Sequence, residues 1–257
     1  MLNPDAMLRR LSALRGHIGF FCKDFATGET VAFHTDEPVV AASVIKLCVM
    51  AEAFRQREAG LLDFAAEVTV RPEDKKPSCG ALTYLHDGLT VTVRDLVVLM
   101  IILSDNTATN LLIDRLGTEA INAFMSELGL SERTKCRRKL FEPELSARGI
   151  RNHVTAADIG LLLEKLMRGE VVSPEASAEM LGILRNQRLN GKMPFLLAPR
   201  RIRCAHKTGE DYDDGITHDV GIIETERPRI FCFLAEGADV PEAERALQEL
   251  ALEAAEA

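Results

Sequence analysis

The chain has no tryptophan, and its two tyrosines and eleven phenylalanines hold aromatics to 5% of 257 residues. Few flat faces are therefore available for stacking on bases. A basic stripe is also missing: 31 Lys and Arg stand against 39 Asp and Glu, a net charge of −8 with no long block of one sign. Both features argue against a nucleic-acid partner. No apolar run approaches the ~20 residues a spanning helix needs, which argues against a membrane partner. The six cysteines (Cys22, Cys48, Cys79, Cys136, Cys204, Cys232) are scattered singly, without one C-x-x-C pair. Zinc and thioredoxin-like chemistry thus find no support. The even count allows a disulfide without establishing one, and most of these residues read as small buried hydrophobes. Residues 1–15 carry charges throughout and lack the basic start and apolar core of an export signal. As it stands the sequence reads as cytoplasmic; a periplasmic or secreted chain whose signal had been removed would read the same way.

What is present is an ordinary globular composition, 47% hydrophobic and 27% charged. That is enough for one large domain or two intertwined lobes. Nothing in it fixes an oligomeric state. Met7, Leu8, Leu11 and Leu14 recur at helical spacing near the start. Strand patterns follow over 17–22 and 30–34, with a turn at Gly28, and together read as a hairpin. A helix is expected from Ser43 to about Ala59, stopped by Gly60. From 61 to 195 the pattern is mostly helical. The run 93–103 is apolar nearly all round, as a buried helix would be. Residues 132–153 hold five arginines and no clean period, and read as a long loop; loops of that length inside a domain are more often functional than filler. After Pro199 the period turns extended over 201–206, 216–224 and 229–235, and a helix over 241–254 closes the chain. Strands at both ends with helices between predict an α/β (α+β type) fold. Its sheet lobe would be discontinuous (1–37 and 196–257), with a helical lobe inserted at 38–195.

Four short strings stand out. Ser43-Val44-Ile45-Lys46 opens the second helix, where positions i and i+3 share a face, so a hydroxyl and an amine can meet. At a helix start the unpaired N–H groups and the dipole favour developing negative charge. A serine hydroxyl needs a base beside it to act as a nucleophile, and a lysine held partly neutral can be one. S-x-x-K alone, however, arises by chance roughly once in a chain this long. Ser104-Asp105-Asn106 follows the buried helix, and reads equally as a helix cap. Glu142-Pro143-Glu144-Leu145 lies in the long loop and would pass for a solvated turn. Lys207-Thr208-Gly209 closes the first strand of the last set, and is also an ordinary strand end.

All four, in this order and at these separations, resemble the S-x-x-K, S-D-N and K-T-G set of class A β-lactamases and penicillin-binding proteins. The Glu-Pro-Glu-Leu string is similar to the glutamate-bearing Ω-loop of the class A enzymes. The resemblance covers nearly the whole chain. It implies a five-stranded antiparallel sheet flanked by terminal helices, with an inserted all-helical lobe. It also implies a serine hydrolase acting on the β-lactam amide or a related small amide, with no metal or organic cofactor. Ser43 would be acylated, with the N–H groups of Ser43 and Glu210 as oxyanion donors. Lys46 would be the base for acylation, kept neutral by the like charge of Lys207. Ser104 would relay a proton to the leaving nitrogen, and Asn106 would orient Lys46 and the substrate amide. Thr208 beside Gly209 would bind a substrate carboxylate. Glu142 would hold the water that hydrolyses the ester and could share the acylation role.

Several positions depart from that pattern. The arginine before the Ω-loop glutamate and the aspartate at the loop's end fall on Leu140 and Asn152, so that ion pair is missing, and the loop is shorter. Ser146 stands where an asparagine helps hold the water. Glu210 is an acid where the family has a small or hydroxylic residue, and Asp211, Asp213 and Asp214 follow it. No arginine lies on 216–224, and the lone His218 there reads as structural. Two alternatives therefore stay open beside the β-lactamase: a covalent β-lactam sensor or penicillin-binding protein with slow release, and a peptidase or amidase of D-amino-acid peptides.

Overall fold

The computed structural model describes residues 2–257. Helix α1 (Pro4–Ala13) starts on the Asn3 side chain, which accepts from the Ala6 N–H, with proline in the first turn. Proline is at home there because that N–H would be unpaired anyway. Strands β1 (His17–Asp24) and β2 (Thr30–Phe33) form the expected hairpin. A two-residue strand β3 (Val39–Val40) leads through a 3-10 turn (Ala42–Ile45) into α2 (Lys46–Glu58). Next come β4 (Glu67–Thr69), β5 (Thr90–Thr92), α3 (Val93–Ile102), α4 (Asn106–Leu116) and α5 (Thr118–Glu127). The long loop contains a short α6 (Pro143–Ala147) and ends in β6 (His153–Val154). Helices α7 (Ala156–Arg168) and α8 (Pro174–Arg185) precede three strands, β7 (Arg203–Asp211), β8 (Ile216–Glu224) and β9 (Arg229–Glu236), and α9 (Val240–Glu256) closes the chain.

The five long strands form one antiparallel sheet in the order β2-β1-β9-β8-β7. The first hairpin pairs with the last strand, so both ends of the chain share one sheet, as the extended patterns at the two ends predict. Strand β9 is buried on both faces and sorts its residues by the two-residue period of a strand. Phe231, Phe233 and Ala235 join Met7, Leu11, Phe20, Leu247 and Leu250 under α1 and α9. Ile230, Cys232 and Leu234 face the other way, into the larger core with Val44, Leu47, Leu96, Ile159 and Leu162.

Three details differ from the sequence pattern. The inserted stretch is not helical alone: β4 pairs with β5, and β3 with β6. At two or three residues each, these strands are too short for a period to show. The loop over 132–153 gains order from α6, which begins on Pro143. Strand β7 runs on through Lys207-Thr208-Gly209 to Asp211, because each of these residues stays in register with β8, Lys207 opposite Val220 and Gly209 opposite His218. Gly209 reads as a strand end, yet it is needed mid-strand. A Cβ there would stand 3.1 Å from Val44 Cγ2 and 3.3 Å from the Ser43 nitrogen.

Candidate active site

Ser43 sits in the 3-10 turn just ahead of α2, and the turn's Val44 and Ile45 are fully buried. Ala42, immediately before it, has a φ of 41°, a left-handed conformation that turns the chain sharply. The Lys46 N–H donates back to the carbonyls of Ser43 and Val44, so serine and lysine share one tight turn. Strand β7 is the sheet's edge strand, and an edge leaves alternate backbone groups without a strand partner. Gly209 brings that edge against the backbone of Ser43.

Behind Ser43 the other strings converge. Lys46 is wholly buried, and its Nζ donates to Ser104 O (2.7 Å), Ser104 Oγ (3.0 Å) and Asn106 Oδ1 (2.8 Å). Lys207, also wholly buried, donates to Ser104 Oγ (3.1 Å) and Thr208 O (2.7 Å). Burial disfavours the charged form of both. Lys46 lies far below the ordinary lysine range, first through burial and then through the Lys207 charge. Burial pushes Lys207 down to about 7, against the pull of Asp219. The Ser104 hydroxyl has one proton to give. It can accept from a charged Lys207 and donate to a neutral Lys46, so the geometry accommodates one charge on the pair.

Ser104 takes a left-handed φ of 54°, and Asp105 after it is the N-cap of α4. The capping role of the S-D-N string is therefore real as well. Asp105 Oδ1 accepts from the Ala108 N–H, while Oδ2 accepts from the N–H groups of Ala81 (2.7 Å) and Leu82 (2.9 Å). This bracket ties the 79–82 loop to the site. It requires Gly80, where a Cβ would come within 2.4 Å of the Asp105 carboxylate.

The Ω-type loop is fastened without the ion pair it lacks. Asn152 is buried, and its Oδ1 accepts from the N–H groups of Arg137 (2.7 Å) and Arg138 (3.1 Å) while Nδ2 donates to Arg138 O (3.0 Å). Arg138 crosses the loop in turn, donating to the carbonyls of Ile150 and Lys139. From α4, Asn110 grips Leu140 at both its N–H and its carbonyl, each at 2.8 Å. Glu142 caps α6 by accepting the Ser146 N–H at its carbonyl. Its half-buried side chain and that of Ser146 line the same cleft as Ser43. Phe141, just before it, is exposed at a φ of 56°, unusual for a bulky residue.

Glu210 is not an unopposed acid. Lys192 reaches Glu210 Oε2 (3.1 Å), Gly209 O (3.2 Å) and Glu244 Oε1 (3.6 Å). The Tyr212 hydroxyl donates to Glu210 Oε2 and the Cys79 thiol points at Oε1. Burial raises the Glu210 pKa, but Lys192 and the two donors outweigh it and the net shift is downward. Asp214 is likewise met by Arg151, across from the loop. His218 is structural: Nε2 donates to Val40 O, Nδ1 accepts the Ala235 N–H, and burial holds its pKa down to about 4.

Ser43, Asn106, Glu142 and Glu210 thus line one cleft of about 420 Å³, with Lys46, Ser104, Lys207 and Thr208 buried behind it. Spacing did not point to Lys192, Arg138, Asn110 or Tyr212. Lys192 and Asn110 meet the site through the tertiary fold, and nothing in the local sequence marks any of the four.

The chain is similar to known proteins over most of its length. The family model described as the beta-lactamase enzyme family matches residues 5–257. The chain is 30% identical over 217 residues to Beta-lactamase L2 of Stenotrophomonas maltophilia, covering 82% of this chain and 69% of that protein. It is 31% identical over 193 residues to a beta-lactamase of Streptomyces lavendulae, covering 71% of this chain but only 62% of the relative. The crystal structure of a beta-lactamase from Sphaerobacter thermophilus superposes with a TM-score of 0.88 at 31% identity, over 97% of this chain and 94% of that one.

Proposed function

The chain belongs to the beta-lactamase enzyme family, a family of serine β-lactam hydrolases, and we propose that it opens β-lactams through an ester on Ser43 that Glu142 helps to hydrolyse. The observation that carries this reading is the Ser104 hydroxyl bridging Lys46 and Lys207 behind Ser43, at 3.0 and 3.1 Å. The Ser43 oxygen bonds to the lactam carbonyl carbon, and its proton passes to neutral Lys46. The oxyanion accepts from the N–H groups of Ser43 and Glu210, where β7 is pressed against the turn. As the C–N bond breaks, Ser104 gives its proton to the nitrogen and is resupplied from Lys46. A water held by Glu142 then attacks the ester. The carboxylate takes one proton, and Ser43 leaves with a proton returned to its oxygen. Asn106 keeps Lys46 in place, and Thr208, the one hydroxyl residue within the edge strand β7, takes a substrate carboxylate.

The reading is tested with a chromogenic cephalosporin and intact-mass spectrometry on three proteins. Wild type should give sustained colour. Ser43→Ala should give neither colour nor adduct. Glu142→Ala should take up one acyl group and then stall. General-base help is worth ~10²–10⁴ in rate, so the stalled adduct should be long-lived. A wild-type protein that takes one acyl group and stops would make it a sensor. Deacylation by Glu142→Ala at the wild-type rate would remove Glu142 from the mechanism.

A further inference from the structure

We propose that Arg151 is a binding subsite for an anionic group on the substrate, and that Asp214 occupies it as an internal placeholder when no substrate is bound. Arg151 stands at the end of the Ω-type loop and Asp214 in the β7–β8 turn, and both line the cleft that holds Ser43. Arg151 Nη1 lies 2.5 Å from Asp214 Oδ2, joining the two walls of that cleft.

Among the described residues, three of the other cations near the cleft, Lys46, Lys207 and Lys192, are committed, and a fourth, Arg138, is tied to backbone. Lys46 and Lys207 are buried against Ser104. Arg138 lines the same cleft without a carboxylate partner, and its Nε and Nη1 are tied along the loop to the carbonyls of Ile150 and Lys139. Lys192 is locked between Glu210 and Glu244. Arg151 differs. Asp214 is its one ionic partner, and the two side chains keep 33% and 41% of their exposure. Ion pairs that open to solvent are weak, and the incoming anion replaces one carboxylate with another. A guanidinium presents five donors in a fixed fork suited to a planar carboxylate, and most of the Arg151 fork is left over after one bond. The exchange therefore costs little and gives the cleft a cation that β8 does not supply.

This inference rests on Ser43 being the nucleophile, so the probe must read the two claims separately. Phenylboronic acid and 3-carboxyphenylboronic acid serve. With either one, the Ser43 oxygen bonds to trigonal boron and its proton passes to a base, leaving a tetrahedral adduct that mimics the oxyanion. Inhibition constants for both are measured on wild type, Asp214→Asn, Arg151→Gln and Arg151→Lys, with labelling by a fluorescent penicillin as the competed signal and direct calorimetry as the second readout. The affinity ratio of carboxylated to plain boronate should rise about two- to five-fold in Asp214→Asn, the range expected for an exposed charge pair. It should fall below the wild-type ratio in Arg151→Gln, recover partly in Arg151→Lys, and shrink with added salt. A ratio that stays the same in all four proteins, with both boronates tightening or weakening together, would mean the pair only narrows the cleft and would overturn the proposal. If neither boronate binds wild type by calorimetry, the nucleophile assignment is wrong and the subsite falls with it.

Discussion

A buried lysine is costly, and here two lie side by side. Lys46 and Lys207 share the Ser104 hydroxyl with no carboxylate bonded to either. The cost is what frees an amine to act as a base near neutral pH, and it leaves a signature in stability. Lys207 titrates at about 7 in the folded protein against 10.5 as a free side chain. Below pH 7 both folded and unfolded chains hold the proton, and folding must bury the charge. Between about 7 and 10.5 the unfolded chain holds a proton that the folded one has shed, so the lysine's penalty shrinks as pH rises. Lys46 shifts in the same direction. Lys207→Met should therefore melt higher than wild type at pH 7, and the gap should narrow steadily toward pH 9.5. Melting curves of the two proteins across that range check this; a gap constant with pH would mean Lys207 is not held neutral by the fold. The resemblance to the class A set, more than local spacing, singled out these two lysines in the sequence. The same resemblance pointed to Ser104, which the S-D-N string alone leaves as a helix cap.

At the scale of elements, the sequence was informative wherever a period was long. The hairpin, the buried α3 and the strands of the large sheet all follow from spacing. The three-residue β4 and β5 do not, since alternation needs more residues to declare itself. The Ω-type loop shows the limit from the other side. Leu140 and Asn152 stand where the resemblance leads one to expect an ion pair, but sequence alone could not show what holds the loop. The substitute is an amide that bonds three backbone groups of Arg137 and Arg138, and such a contact depends on where the chain returns, not on local pattern. Asn152→Ala would take the partner from two part-buried N–H groups and leave the Arg138 carbonyl only the weak Cys136 thiol, a loss of about 1–3 kcal/mol. It should lower the melting temperature and expose residues 137–151 to protease. Because the same loop carries Glu142, it should slow ester release more than ester formation. Asn152→Asp keeps the acceptor but turns a carboxylate toward the Arg138 carbonyl, so it should rescue only part of the loss. Limited proteolysis together with pre-steady-state acylation and deacylation rates would test this; an Asn152→Ala protein with an intact loop and unchanged release would mean that Arg138 and Asn110 hold the loop without it.

At the scale of the whole molecule, joining the first hairpin to the last strand buries both faces of the sheet, and Cys22, Cys204 and Cys232 are buried on its strands while Cys48 and Cys136 are buried in the helical part. Cys22 lies under α1 and α9, while Cys232 on the neighbouring strand faces the larger core, so the register of β1 and β9 sets them on opposite sides of the sheet. All six cysteines are free thiols, which settles the disulfide question that their number left open. Cys22, Cys48, Cys136, Cys204 and Cys232 are buried, and burial raises the pKa of each thiol. The reactive species is the thiolate, so raised pKa and lost access both make these five inert. Cys79 alone is partly exposed, and it lines the cleft beside Ser43 and Glu210. N-ethylmaleimide should therefore add once to the native protein, at Cys79, and six times after denaturation. Its single native addition should slow when a stable penicillin adduct already fills the cleft of Glu142→Ala, because thiol and ester would share one space. Intact mass and peptide mapping read both results. A second native adduct would show that the sheet or the helical core opens under native conditions, and an unhindered reaction in the acylated protein would place Cys79 outside the substrate's path.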